Sequence, residues 1–409
     1  MKKAMKYLIL VGDGMGDYPL AELGEKTPLE AAATPAMDEL CRKGEFFLTA
    51  TVPAGFDPGS DVANLSLMGY DPARYYTGRA PLEAASMGIR LAEEETAFRC
   101  NLVNLALAEE SATMVDFTAD HIRSEEAAEL IADLNEQCGS AAFRFHAGVS
   151  YRHLLVYRGA LAPLKTVPPH DYIEQDISPF RHDYFRHELW KELLENAEDV
   201  LADHPINRKR AAAGKLPANS IWPWGEGKMP QMPTFTERFG LNGSMISAVD
   251  LLKGIGVLAG LESINVVGAT GFLDTNYQGK AEAALAALED KDFVFVHLEA
   301  PDESGHQGSI DNKIKAIEDF DLKIVAYIIE RLRQREVDFR AVVTMDHYTP
   351  ISLRTHSTDP VPTLLYDSRE LTPGSTRAFS EKSATSLPAV PLLGNGHQLV
   401  NKLLQIPCS

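Results

Sequence analysis

Cysteine is scarce in this chain and shows no pattern. Cys41, Cys100, Cys138 and Cys408 are scattered without a CxxC pair, which argues against a zinc knuckle or a disulfide framework and fits reduced thiols. Positive charge is also short, with 39 Lys and Arg against 58 Asp and Glu and a formal net charge of −19. A nucleic-acid or anionic-membrane partner is therefore not expected, although a small anion could still meet a local cationic pocket. Long apolar runs are missing too. The basic start Met1-Lys2-Lys3-Ala4-Met5-Lys6 leads only into Tyr7–Val11 before Gly12-Asp13-Gly14, too short for a signal-peptide core and without a cleavage site. No stretch approaches the length of a membrane span. The expectation is a cytoplasmic protein without internal repeats or low-complexity tracts.

What is present is an ordinary globular composition, 45% apolar and 24% charged. At 409 residues the chain exceeds one usual domain, so a large α/β domain with an insertion, or two domains, is expected. Strands are predicted at Tyr7–Val11, Thr49–Val52, Ser263–Val267, Phe293–Leu298 and Ala341–Met345, and helices at Thr34–Lys43, Met245–Ile255 and Lys280–Leu288. This alternation implies an α/β fold with a mostly parallel sheet and helices on both faces. From about residue 93 to about 184 the texture changes. Strand-like Ala97–Leu105, Thr113–Phe117 and Tyr151–Tyr157 surround a helical stretch at Ser124–Leu134. The reading is a core of 1–92 and 185–409 interrupted by a smaller cap domain at 93–184.

The chemistry gathers around Pro58-Gly59-Ser60-Asp61-Val62-Ala63-Asn64-Leu65, where glycine permits a tight turn and Ser60 opens a helix. Taken alone, such a serine is an N-cap. Acids and histidines elsewhere change that reading. Asp13 follows the first strand in Gly12-Asp13-Gly14-Met15-Gly16-Asp17. That turn is not a dinucleotide fingerprint, because Asp17 replaces the third glycine and Asp13 would repel a pyrophosphate. Asp302 and His306 stand four apart, so a helical turn would aim them the same way. Asp346-His347 ends another strand, and His356 follows. Asp13, Asp302 and Asp346-His347 each follow a separate candidate parallel strand, and such folds gather strand ends along one edge. Mixed carboxylate and imidazole ligands suit manganese, zinc, cobalt or iron better than calcium, while magnesium favours oxygen-only sets. There are ligands for two divalent ions, and ions about 4 Å apart are a common device for phosphoryl displacement. One ion on Ser60 Oγ would lower its pKa and make it a nucleophile, and the other would hold phosphate oxygens.

With these residues side by side, the chain resembles the alkaline phosphatase superfamily and, more closely, the archaeal-type cofactor-independent phosphoglycerate mutases. The resemblance rests on Val11–Asp17, Gly59–Pro72, Gly78–Ala85, Gly268-Ala269-Thr270-Gly271, Asp302–Gly308, Asp346-His347 and His356–Pro362. It implies one metal on Asp302, His306 and His356, and a second on Asp13, Ser60, Asp346 and His347, with manganese the first choice. Ser60 would then carry a phosphoryl group between the two positions of a small phosphorylated substrate, interconverting 3-phosphoglycerate and 2-phosphoglycerate. A closed cap would exclude water and so separate a mutase from a phosphatase. Arg152, Lys280 and Arg210 are candidates for the substrate carboxylate, and His121 is a further candidate for facing the substrate. A bacterial branch resembling these mutases has been proposed to act as homoserine kinase. Gly12-Asp13-Gly14-Met15, Leu298–Glu303 and Leu353-Arg354-Thr355-His356 resemble that branch at least as much. A GxxxxGK[ST] phosphate loop is missing, and another metal-dependent phosphatase or phosphotransferase would use the same core. The sequence leaves the oligomeric state open.

Overall fold

The computed structural model describes residues 5–108, 111–160, 164–370, 377–386 and 389–407, so Cys408 lies outside the described residues. In chain order the strands are β1 (Lys6–Gly12), β2 (Glu45–Thr49), β3 (Glu95–Leu107), β4 (Ala112–Asp116), β5 (Phe143–Val149), β6 (Arg152–Arg158) and β7 (Ser220–Gly227). They continue as β8 (Gly243–Ile246), β9 (Glu262–Ser263), β10 (Phe293–Leu298), β11 (Phe339–Thr344), β12 (Val361–Asp367) and β13 (Leu392–Leu393). The chain divides into two compact units, residues 1–76 with 231–409 and residues 77–230.

In the first unit the sheet order is β13-β2-β12-β11-β1-β10-β8-β9. β1 lies between β10 and β11 and is parallel to both, with Val11 opposite His297 and Thr344. Every residue of β10 and β11 is buried, as expected of aliphatic strands covered on both faces. The shared register brings the carboxyl ends of these three strands to one edge, so the turns after Gly12, Leu298 and Thr344 meet there. β12 runs antiparallel to its neighbours β11 and β2.

Several elements differ from the sequence reading. The expected helix Met245–Ile255 is the end of β8 followed by a helix at Asp250–Leu258, because an apolar run carries no periodicity to separate the two. The strand expected at Thr49–Val52 is paired at Glu45–Thr49. Of Ser263–Val267 only the first residue joins the sheet. A continuous helix from Ile310 to Gln334 contains a π-helical stretch, Phe320–Ala326. Within that stretch Asp321 accepts the backbone N–H groups of Ala36 (3.1 Å) and Met37 (2.7 Å), at the start of the helix Pro35–Lys43.

The second unit is built on an antiparallel sheet, β4-β3-β6-β5, with β7 also paired to β3. Its core includes Phe98, Leu155, Trp190 and Leu193. The cap edges expected at 93 and 184 both lie inside this unit. The helix Ala80–Ser86 packs on β3, and the helix Glu188–Ala202 packs on β7, so both belong with its sheet. Among the described residues no helix is long and apolar enough to cross a membrane.

Candidate active site

All seven residues expected to hold metal lie in the first unit, and the structure brings them together. Gly59 caps the helix Ser60–Leu67, so Ser60 is its first residue rather than its cap. Ser60 Oγ lies 3.2 Å from His347 Nε2 and 3.4 Å from Asp13 Oδ2. The positive end of the helix dipole favours negative charge at that oxygen. Asp346 Oδ1 accepts the N–H groups of Gly14 (3.1 Å) and His347 (2.9 Å), and its Oδ2 accepts Asn64 Nδ2 at 2.8 Å. Asn64 also holds the Ser60 carbonyl at 2.8 Å, which ties the nucleophile helix to the Asp346 turn.

Asp302 and His306 share one face of the helix Ala300–His306, as their spacing predicts. Asp302 Oδ2 is 3.2 Å from His306 Nε2, and its Oδ1 is 3.5 Å from His356 Nε2. The two Nε2 atoms stand 3.0 Å apart. Each ring meets a carbonyl with its other nitrogen: His306 Nδ1 lies 2.9 Å from the Arg354 oxygen and His356 Nδ1 3.2 Å from the Pro58 oxygen. Both rings therefore carry their proton on Nδ1. Two imidazole lone pairs this close beside a carboxylate require a cation between them, a proton or a metal ion. Arg354 reaches His306 from a left-handed backbone, φ 55°.

The electrostatics agree. Burial, and after it the charges of Asp346 and Asp302, push Asp13 well above the usual carboxylate range. Burial also opposes charge on Asp302, but the His306 and His356 rings beside it, with a proton held at Nε2 between them, keep it well below that range. His306 is raised to about 9, because the bond and charge of Asp302 outweigh its burial. Asp13 Oδ1 is buried without a hydrogen-bond partner among the described residues. One ligand atom from each of Asp302, His347 and His356 lies within 4.8 Å of the others, and the same holds for Asp13, Asp346 and His347. Three carboxylates buried together, Asp13 with one oxygen unpartnered among the described residues, are the chemistry of a divalent-cation site.

Three further groups escape a reading of the sequence. His297 Nε2 lies 2.9 Å from Asp13 Oδ2 but off the line of a hydrogen bond, and burial lowers the ring to about 3, so the contact is with a neutral imidazole. Its one signal is a histidine inside an otherwise apolar strand. Lys313 is fully buried, and its Nζ donates to Gly16 O (3.0 Å), Thr349 O (2.8 Å) and Asp17 Oδ2 (2.8 Å). Thr349 donates its hydroxyl to Asp302 Oδ1.

The substrate candidates are dispersed. Lys280 is fully buried in the first unit, where its Nζ donates to the His297 carbonyl at 3.1 Å. Burial lowers it to about 8. Arg210, in the second unit, was expected to contact an anion, but it is buried. Its guanidinium instead donates to Leu216 O (3.1 Å), Glu126 Oε2 (2.9 Å) and Ala119 O. Those bonds fix a turn in which Ala119, Asp120 and His121 are all left-handed, φ 47°, 55° and 45°. His121 and Arg152 are exposed in the same unit beside Tyr151, 6.4 Å between rings and 5.6 Å from guanidinium to ring. Also in that unit, Arg99 lies over Trp224 at 4.2 Å and the His170 ring is 5.6 Å from Trp224.

Comparison with known proteins places relatives beside this geometry. The family described as 2,3-bisphosphoglycerate-independent phosphoglycerate mutase matches residues 41–207. A Methanosarcina acetivorans protein of that name is 51% identical over 383 residues, 93% of this chain and 95% of its own. A Geobacter sulfurreducens protein named as a probable member is 48% identical over 400 residues, 98% of this chain and all of its own. Among solved structures, a Pyrococcus horikoshii protein superposes with a TM-score of 0.81 at 29% identity, covering 99% of this chain and 97% of its own. The cofactor-independent phosphoglycerate mutase of Thermoplasma acidophilum gives 0.65 at 26% identity, covering 99% of each chain.

Proposed function

The chain belongs to the 2,3-bisphosphoglycerate-independent phosphoglycerate mutase family, and we propose that it interconverts 3-phosphoglycerate and 2-phosphoglycerate through a phosphoserine on Ser60. The observation that carries this reading is the Ser60 hydroxyl at a helix start, 3.2 Å from His347 Nε2 and 3.4 Å from Asp13 Oδ2. Asp302, His306 and His356 would hold one divalent ion, and Asp13, Ser60, Asp346 and His347 a second. The mixed oxygen and nitrogen donors suit manganese first, then zinc or cobalt, with magnesium the poorest match. Bound there, such ions lower the pKa of a coordinated hydroxyl and offset charge on a transferring phosphoryl group.

The chain's own groups supply the rest. Ser60 Oγ attacks phosphorus as it gives up its proton, and the bond from phosphorus to the glycerate oxygen breaks, that oxygen taking up a proton in turn. The free glycerate then has hydroxyls at C2 and C3, and the one that did not carry the phosphate takes the phosphoryl group from Ser60, giving up its proton as Ser60 Oγ regains one. Backbone N–H groups in the first turn of the Ser60 helix favour the phosphate's negative charge. Arg152 and His121 offer exposed cationic or donor side chains for the carboxylate. In this reading Arg210 and Lys280 serve the fold.

The test is to incubate the protein with manganese and 3-phosphoglycerate, without bisphosphoglycerate, and to follow 2-phosphoglycerate through enolase. The expected result is turnover that a chelator abolishes and manganese restores. A parallel tube holds ATP and homoserine. Turnover there alone would overturn the mutase reading in favour of a kinase on the same site.

A further inference from the structure

Thr349 is fully buried on the turn that follows Asp346 and His347. Its Oγ1 donates to Asp302 Oδ1 and lies 3.3 Å from His347 Nδ1. A hydroxyl has one proton to give. With that proton on the line to Asp302, a carboxylate that can only accept, Oγ1 can meet His347 only as an acceptor. His347 must then carry a proton on Nδ1, which leaves Nε2 as the atom able to act as a ligand, 3.2 Å from Ser60 Oγ and 3.5 Å from Asp13 Oδ1.

The threonine cannot easily turn away. A Cβ on Gly14 would come within 2.5 Å of its Oγ1, and one on Gly305 within 2.9 Å of its Cγ2, so the backbone closes on it from both sides. Its own N–H donates to Gly16 O at 3.2 Å, and its carbonyl accepts Lys313 Nζ at 2.8 Å. The side chain is therefore held where the Asp302 set and the His347 set meet.

We propose that Thr349 is a positioning residue that joins the two ligand sets, one hydroxyl fixing both the Asp302 carboxylate and the protonation site of His347. The inference rests on the two-ion reading above. It goes beyond that reading in making one uncharged residue responsible for the affinity of both ions. Partners of this kind, behind the ligands, typically change metal affinity about 10- to 100-fold when removed.

The test compares T349V, which keeps the shape and loses the hydroxyl, with T349S, which keeps the hydroxyl. Manganese binding is counted by the electron paramagnetic resonance of the free ion, and the imidazole ¹⁵N shifts of His347 are recorded in metal-free protein. T349V is expected to bind about 10- to 100-fold more weakly in both steps and to lose the single Nδ1–H form. T349S is expected to stay close to the wild type in both measurements. Weakening of one step alone, or equal weakening in T349S and T349V, would overturn the inference and leave the two-ion reading standing. If the wild type itself bound no manganese, the two-ion reading would fall, and the role of Thr349 with it.

Discussion

The two units place their candidate functional groups differently. In the first, Asp13, Asp17, Asp302, Asp346, His347 and Lys313 are all buried, and most bond to one another or to the backbone of two neighbouring turns. In the second, His121 and Arg152 are exposed beside an aromatic ring, and the buried Arg210 holds backbone carbonyls. Ligands for ions must sit within about 0.5 Å of a working geometry, and that takes side chains locked by second contacts. Groups proposed to meet a substrate that can present either of two hydroxyls would have no such requirement. Rigidity is concentrated where the chemistry cannot tolerate error.

Substitutions in the two units should therefore fail differently. The largest effect belongs to S60A. Its turnover is expected to fall by roughly 10⁴-fold or more, with manganese binding largely kept, and an activity near wild type would remove Ser60 as nucleophile. Next comes K313M, which leaves Asp17 buried without its partner and should cost about 3–5 kcal/mol in urea unfolding. K313M/D17N should recover part of that loss. The exposed Lys43–Glu39 pair, at 46% and 39% exposure, is the contrast, and K43A should cost less than about 1 kcal/mol. Equal losses would show that burial is not what makes the Lys313 pair matter. In the second unit R152A should remove one charged hydrogen bond to substrate, about 1.5–3 kcal/mol, seen as a higher KM with unchanged manganese affinity. A fall in manganese affinity instead would dissolve the division of labour.

The smallest effect is one of pH. Glu381 accepts the Asp17 N–H at 3.1 Å and the Thr27 hydroxyl at 2.8 Å, and burial raises it from 4.5 to about 7. Between those values the folded protein keeps a proton that the unfolded chain has lost. Stability from this group is thus full below about 4.5 and is lost as pH rises through about 7. E381Q should remove that slope, so the variant's melting temperature should gain on the wild type between pH 5 and pH 8. A constant difference across that range would contradict the raised value.

The residues of the candidate site were legible because each announces itself locally. Asp13 and Asp346-His347 stop an aliphatic strand, Asp302 and His306 repeat at helical spacing, and Ser60 follows a glycine at a helix start. Lys313 could not be seen that way. A lysine in the helix Ile310–Asp319 reads as solvated, and only the closure of the turns around Gly16 and Thr349 over it reveals otherwise. Arg210 sits in Arg208-Lys209-Arg210, where charge looked like an anion contact. Successive helical residues point about 100° apart, so one of the three turns inward while its neighbours face solvent. β8 and β12 were missed for a different reason: short buried strands lack the alternation that would distinguish them.

The π-helical stretch Phe320–Ala326 bears on how the chain can tolerate insertion and deletion. Before it, the helix turns Lys313 and Ile317 inward; after it, Ile328, Ile329 and Leu332. A wide turn takes up one residue more than an α-turn, and each residue rotates the remainder of the helix by about 100°. Deleting a single residue there would yield a more regular helix and a worse protein. The buried lysine and the aliphatic face would no longer point inward together, so the irregular turn keeps the two ends of one helix in phase.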